Sequence, residues 1–239
     1  MMLKYILFDL DETLYPATCG LMTAIGDRMR GYLQEKFQLS PEDAHTLQKR
    51  FWNQYGTTLR GLMLEHEIDP QDYLRYVHAV DISQHISPDP QLADVLQKIP
   101  YPKAIVTNAD VPHAERVLQR LGIRDQFTSI FDIVFMEYEC KPARGAYERV
   151  LRALDAQGDE CILVEDTPRN LPTARELGIH TILLTPENVV PPEPSWLLDP
   201  AKQKAIDGCP PSAELCIPDI YHVADAIHQI APALDKHPA

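Results

Sequence analysis

Leu3-Lys4-Tyr5-Ile6-Leu7-Phe8-Asp9-Leu10-Asp11-Glu12-Thr13-Leu14 decides the fold. Leu3 to Phe8 is apolar apart from Lys4 and runs straight into an acidic cluster. A short apolar run of that kind reads as a strand buried on both faces, as in a parallel sheet. Three further runs have the same character: Lys103 to Val106, Cys161 to Val164 and Thr181 to Leu184. Ile130 to Phe135 reads as a fifth. Helical patterns fall between them. Pro112 to Leu121 starts with proline and is followed by Gly122, Arg144 to Leu154 carries apolar residues at helical spacing, and Pro168 to Leu177 stops at Gly178. Strands alternating with helices predict βαβ units and an open parallel sheet.

Residues 16–86 break that rhythm. Ser40-Pro41 and Asp69-Pro70 each put a capping side chain before a proline at the first helical position. Leu21, Ile25, Met29 and Leu33 recur every four residues and make one apolar face. The expected organisation is an α/β Rossmann-like core from residues 1–15 and 87–239, with an inserted α-helical cap over 16–86. Eight of the 21 prolines lie between Pro186 and Pro218. That segment, 186–218, is expected to be an irregular loop with one helical turn near Ala201 to Ile206, before a final helix at about Tyr221 to Ile230.

The chain has 239 residues, 45% hydrophobic and 24% charged, with a net charge of −13. Such a surface repels a nucleic-acid backbone and an anionic membrane, so neither polymer nor membrane is the expected partner. No apolar run is long enough to span a bilayer, and the N-terminus meets Asp9 too early for a signal sequence. The five cysteines show no C-x-x-C and an odd count, which predicts reduced thiols in a cytoplasmic protein. The expected assembly is a monomer or homodimer.

In an open parallel sheet, ligands bind beyond the carboxyl ends of the strands. Those ends offer Asp9, Asp11 and Thr13, then Thr107 and Asn108, then Lys141, then Glu165 and Asp166. Each residue type suits phosphoryl transfer. Asp9 can attack phosphorus and carry an aspartyl-phosphate. Asp11 can protonate the leaving oxygen and then activate water. Asp9 and Asp11 with Asp166 make an oxygen-rich site for Mg²⁺. Thr107 and Lys141 can hold the transferring oxygens. Taken singly, each has a plainer reading as a turn residue, helix cap or solvated lysine; their convergence on one crevice is what favours chemistry.

Phe8-Asp9-Leu10-Asp11-Glu12-Thr13-Leu14 resembles the first motif of the haloacid dehalogenase-like hydrolase superfamily. Thr107, Lys141-Pro142 and Glu165-Asp166 fall where its second, third and fourth motifs would. The resemblance spans about residues 3–185. It implies a Rossmann-like core, a helical cap, Mg²⁺ dependence and an aspartyl-phosphate, with Asp9 as nucleophile and metal ligand. It further implies Asp11 as acid/base and a metal ligand through its backbone carbonyl, and Asp166 completing the metal site. Glu165 is implied as a direct or indirect ligand. Asp11 to Pro16 with Tyr55-Gly56-Thr57-Thr58-Leu59-Arg60-Gly61-Leu62 looks like the pyrimidine 5′-nucleotidase group. That likeness implies a small phosphorylated metabolite, a pyrimidine nucleoside monophosphate, with Asn108, Arg60 and Tyr55 contacting it. A sugar phosphate or phosphoglycolate is the alternative substrate. Against a haloacid dehalogenase stands Asp11, which that chemistry does not need. A phospho-accepting receiver domain lacks an inserted cap. A non-catalytic binding protein on the same fold would not need the intact acidic set.

Overall fold

Strand β1 (Tyr5–Phe8) is the centre of a six-stranded sheet in a computed structural model that describes residues 2–186 and 209–234. Its neighbours are β2 (Lys103–Val106) and β4 (Cys161–Glu165), with β3 (Ser129–Phe131), β5 (His180–Leu184) and β6 (Leu215–Ile217) further out. The order is β3-β2-β1-β4-β5-β6 and every pairing is parallel. Leu7 pairs with Ala104 on one side and Leu163 on the other, so the carboxyl ends of β1, β2 and β4 lie level. The chain reverses direction across the sheet between β1 and β4, and a doubly wound sheet opens its ligand crevice at such a point.

Both faces of the sheet are covered, which is why its strands are apolar throughout. Ile6, Phe8 and Ile105 face a cluster with α5 (Pro90–Gln97), α6 (Val111–Leu121) and the last helix, α9 (Val223–Leu234). Leu7, Ala104 and Leu163 face α7 (Arg144–Leu154) and α8 (Leu171–Glu176).

Between β1 and α5 the chain makes α1 (Leu21–Phe37), α2 (Pro41–Tyr55), α3 (Thr58–Glu65) and α4 (Pro70–Val77). Local chemistry sets their boundaries. The Ser40 hydroxyl accepts from the Asp43 N–H with Pro41 next to it, and the Asp69 carboxylate accepts from the Gln71 N–H before Pro70. Gly56 ends α2 in the left-handed region at φ +90°. A Cβ on Gly61 would collide with the Phe51 ring, so α3 can lie this close to α2 only with glycine there. Leu33, Phe51, Leu62 and Tyr73 form the helical layer's own apolar cluster, while Leu21 and Ile25 pack into the core beneath.

The structure corrects three expectations. Strand β3 ends at Phe131 rather than Phe135, because the Asp132 carboxylate accepts from the backbone N–H of both Val111 and Phe135 and caps a turn. The proline-rich segment is not irregular to its end: Leu215–Ile217 joins the sheet beside β5. Residues 187–208, including the expected helical turn, lie outside the described residues. Cys209 and Cys216 form a disulfide, whereas Cys19, Cys140 and Cys161 are free. Pro210, whose carbonyl accepts from Ala213, turns the chain so that the two cysteines' Cα atoms are 5.7 Å apart. Among the described residues no helix is long and apolar enough to cross a membrane.

Candidate active site

The end of β1 delivers Asp9 to the crevice, and the chain then turns through Glu12, which adopts φ +63°. A non-glycine residue in the left-handed region is strained, and such strain gathers at functional loops. Thr13 folds back so that its hydroxyl lies 3.1 Å from Asp9 Oδ2 and 3.4 Å from Asp166 Oδ1. Lys141 arrives from the loop after β3. Its ammonium, 1% exposed, donates to Asp9 Oδ1 at 2.7 Å and to Glu165 Oε1 at 2.8 Å. Glu165 also accepts from Asn170 Nδ2 at 2.5 Å and, through Oε2, from the Thr167 N–H at 2.8 Å. With three protein donors on it, Glu165 anchors Lys141.

Asn108 has a related task. Its Oδ1 accepts from the Lys141 N–H at 2.8 Å and its Nδ2 donates to the Lys141 carbonyl at 3.2 Å. This two-way clasp ties the end of β2 to the lysine loop. Thr107 is buried beside it, its Oγ1 accepting from the Ala109 N–H.

Burial pushes the Asp9 carboxyl well above the ordinary carboxylate range; Lys141 opposes this, and Glu165 and Asp166 add to it. Burial also works against the Lys141 charge, but Asp9 and Glu165 outweigh it and hold the ammonium firmly protonated. Asp11 moves the other way. Burial raises its carboxyl, yet the His113 charge and the hydrogen bonds from His113 and Tyr15 bring it below the ordinary value.

Oxygen atoms of Asp9, Glu165 and Asp166 lie within 4.8 Å of one another. An all-oxygen set carrying more negative charge than one lysine can offset suits a hard divalent cation such as Mg²⁺. With Glu165 committed to protein donors, Asp9 and Asp166 are the side chains that would hold it.

Above these groups lies a cavity of about 190 Å³ between core and cap. Asp9, Asp11, Thr107, Asn108, Lys141 and Asp166 line its floor. The cap wall presents Met22, Ile25, Met29, Leu59, Leu74 and Val77, together with Trp52, Tyr73 and His78, and no Lys, Arg, Asp or Glu. Tyr55 and Arg60 do not reach this cavity. The Tyr55 hydroxyl donates to Glu65, and Arg60 donates to the Tyr138 carbonyl. Both line a neighbouring cavity of about 280 Å³. Successive helical residues diverge by about 100°, so Leu59 faces the main cavity and Arg60 turns away from it.

Four residues at the site were not singled out from the sequence. Arg169 borders both cavities, stacks over Trp52 at 4.5 Å and donates to the Trp52 carbonyl. Tyr15 and His113 hold Asp11, and His78 stacks on His113 at 4.5 Å between ring centres. Tyr15 fell within the Asp11 to Pro16 stretch, four residues after Asp11, but without a role of its own. His113 is 102 residues from Asp11, and nothing local marks it.

A parallel doubly wound sheet with an inserted helical layer and a lysine-bridged carboxylate pair at its switch point places the chain among Rossmann-like α/β proteins with an acidic site at the strand ends. The sequence matches the haloacid dehalogenase-like hydrolase family over residues 3–178, and the chain belongs to that family. It is 23% identical over 197 residues to "Phosphate metabolism protein 8" of Saccharomyces cerevisiae; the match covers 75% of this chain and 61% of that relative's length. Its fold is similar to a HAD phosphatase from Thermococcus onnurineus, with TM-score 0.59, 16% identity, and 94% and 98% of the two chains covered. It is also similar to the L-2-haloacid dehalogenase from Xanthobacter autotrophicus, with TM-score 0.57, 15% identity, and 95% and 99% covered.

Proposed function

We propose that this chain is a Mg²⁺-dependent phosphomonoester hydrolase working through an aspartyl-phosphate on Asp9, with nucleoside 5′-monophosphates, pyrimidine ones foremost, as substrates. The observation that carries the reading is the buried Lys141 ammonium bridging Asp9 and Glu165 beneath a cavity that Asp11 also lines. The ammonium opposes the burial that raises the Asp9 carboxyl, which favours the ionised, attacking form, and it would compensate charge on the phosphoryl oxygens. Thr107 offers a hydroxyl to the same oxygens. Asp9 and Asp166 would hold Mg²⁺, which would supply the remaining charge compensation that a dianionic substrate requires among these carboxylates. Asp11 gives a proton to the leaving oxygen and later takes one from the water that cleaves the acyl-phosphate. A dehalogenase would have no use for that acid.

The cap wall supports the substrate class. Its own residues hold no fixed charge, and Arg169 at the cavity's edge is already stacked on Trp52 and bonded to the Trp52 carbonyl, so a neutral leaving group fits this wall better than one with its own carboxylate, as in phosphoglycolate. A neutral, flat base suits a wall of aliphatic residues with Trp52 and Tyr73. Release of inorganic phosphate, measured over nucleotides, sugar phosphates and phosphoglycolate with Mg²⁺, tests both levels. UMP or CMP is expected to lead, and an excess of chelator should stop turnover until Mg²⁺ is restored. Preference for a sugar phosphate would overturn the substrate class alone. Full activity after chelation, or halide release without phosphate release, would overturn the phosphatase reading.

A further inference from the structure

Both donors that reach the Asp11 side chain land on the same oxygen. The Tyr15 hydroxyl donates to Asp11 Oδ1 at 2.6 Å, and His113 Nε2 stands 2.8 Å from it. An ionised carboxylate only accepts, so Nε2 carries the hydrogen. Among the described residues no donor reaches Oδ2.

The donors themselves are fixed. Tyr15 is 3% exposed and His113 1% exposed. The His113 backbone N–H donates to the capping Asp110 carboxylate at the start of α6. Its ring stacks nearly parallel on His78, at 21° between planes. Neither donor can follow Asp11 if it rotates.

We propose that His113 and Tyr15 are positioning residues that tether Asp11 by Oδ1 and leave Oδ2 as the oxygen exchanging protons with the substrate. The proposal rests on the acid/base role given to Asp11 above. In the first step an Asp9 oxygen forms a bond to phosphorus as the ester P–O bond breaks. The bonding pair passes to the leaving oxygen, which takes the proton from Asp11 Oδ2. In the second step Oδ2 takes a proton from water as the water oxygen bonds to phosphorus, and the Asp9 carboxylate departs unchanged. With two N–H and O–H donors on Oδ1, a proton placed there would break one of those bonds. The tether thus selects the oxygen as well as the side-chain orientation.

The test uses two esters that differ in their need for an acid: UMP, whose alcohol must be protonated as it leaves, and para-nitrophenyl phosphate, whose phenolate is stable without a proton. The parameter is kcat/KM, which reports the first phosphoryl transfer. His113→Leu keeps bulk and removes the donor, Tyr15→Phe removes only a hydroxyl, and His113→Gln restores an N–H near the Nε2 position. General acid catalysis is worth about 10²–10⁴-fold, so His113→Leu and Tyr15→Phe should each lose about 10-fold or more on UMP and less than about 3-fold on para-nitrophenyl phosphate. His113→Gln should recover most of the loss. Equal losses on both esters, or no loss on UMP, would overturn the proposal. If His113→Leu does not fold, Tyr15→Phe decides alone. Asp11→Asn is the control: a similar leaving-group split there, absent from the other variants, refutes the tether and leaves the role of Asp11 standing. No split in Asp11→Asn refutes the acid reading itself, and the tether with it.

Discussion

Replacing Lys141 with methionine should destabilise the metal-free protein strongly at neutral pH and much less in mild acid. The ammonium is 1% exposed and sits 2.7 Å from Asp9 and 2.8 Å from Glu165. At an effective dielectric of about 20, each contact is worth roughly 6 kcal/mol of gross attraction, most of it offset by desolvation. The net loss has a ceiling, because the stranded carboxylates can take up one proton. For an ordinary carboxylate at pH 7 that costs about three pKa units, or about 4 kcal/mol. This agrees with the roughly 3–5 kcal/mol typical when one member of a buried pair is removed. In a chain of this size each kcal/mol moves Tm by about 2–4 °C, so Lys141→Met should melt about 8–16 °C lower.

The pH dependence follows from the same ceiling. Burial already raises the Asp9 carboxyl in the native chain, and losing Lys141 raises it further. A carboxyl whose folded value lies above its unfolded value favours the folded state when protonated. That contribution is complete below the unfolded value and fades as pH rises through the folded one. At pH 5 the protonation cost falls to about 1.5 kcal/mol, so the deficit should shrink to about 3–6 °C. Calorimetric melts of both proteins without divalent ions, at pH 7 and pH 5, measure it. Mg²⁺ should raise the variant's Tm more than the native protein's, since it offsets the charge the lysine no longer does. A deficit under about 3 °C at pH 7, or one that does not shrink in acid, would refute the charge-bridge account.

Asp9→Asn should lose at least about 10³-fold in turnover, because an amide cannot form the phosphoenzyme; near-native phosphate release would take Asp9 out of its role. His78 is expected to make the fold acid-sensitive. Its burial lowers the imidazole pKa, the Asp110 contact opposes that, and the His113 charge lowers it again. A histidine held neutral gives stability that is present above its unfolded value, about 6.5, and lost as pH falls through the folded one. His78→Phe, which keeps a ring against His113, should therefore flatten the decline of Tm between pH 7 and pH 5, and an unchanged slope would assign that decline to other groups.

How much of this was legible in the sequence differs by scale. Strands β1, β2, β4 and β5 were readable because a doubly covered parallel strand has no polar face to interrupt it. Helices α2 and α4 were readable because Ser40-Pro41 and Asp69-Pro70 state their starts chemically. Strand β6 was hidden because Leu215–Ile217 is only three residues long and sits at the end of a proline-rich stretch. The Cys209–Cys216 pair was hidden for a similar reason: a turn at Pro210, rather than any spacing motif, brings the two together. The acidic set was readable because its members lie at or just beyond the ends of two apolar strands, Asp9 and Asp11 after β1 and Glu165 and Asp166 at the end of β4. Asn108 illustrates what was not. Its residue type suits a substrate contact, yet its amide is committed to both backbone groups of Lys141. Arg60 and Arg169 make the same point in reverse, since the helical phase turns Arg60 away while the turn after β4 brings Arg169 to the cavity's edge.

The site's two halves divide one electrostatic problem. On the proposed function, a chain with net charge −13 would have to accept a dianion among four buried or half-buried carboxylates, Asp9, Asp11, Glu165 and Asp166. The core answers with Lys141 and with a carboxylate pair suited to a divalent cation. The cap brings no charge to the cavity and lines it with aliphatic and aromatic surface. Asp11 stands at the seam. One of its tethers, Tyr15, directly precedes the Pro16 at which the cap begins; the other, His113, belongs to core helix α6. Asp11 is thus held from both sides of the boundary between the helical layer and the sheet. On the proposed function, selection of the leaving group and delivery of the proton would therefore draw on the same few side chains, those that meet at this seam.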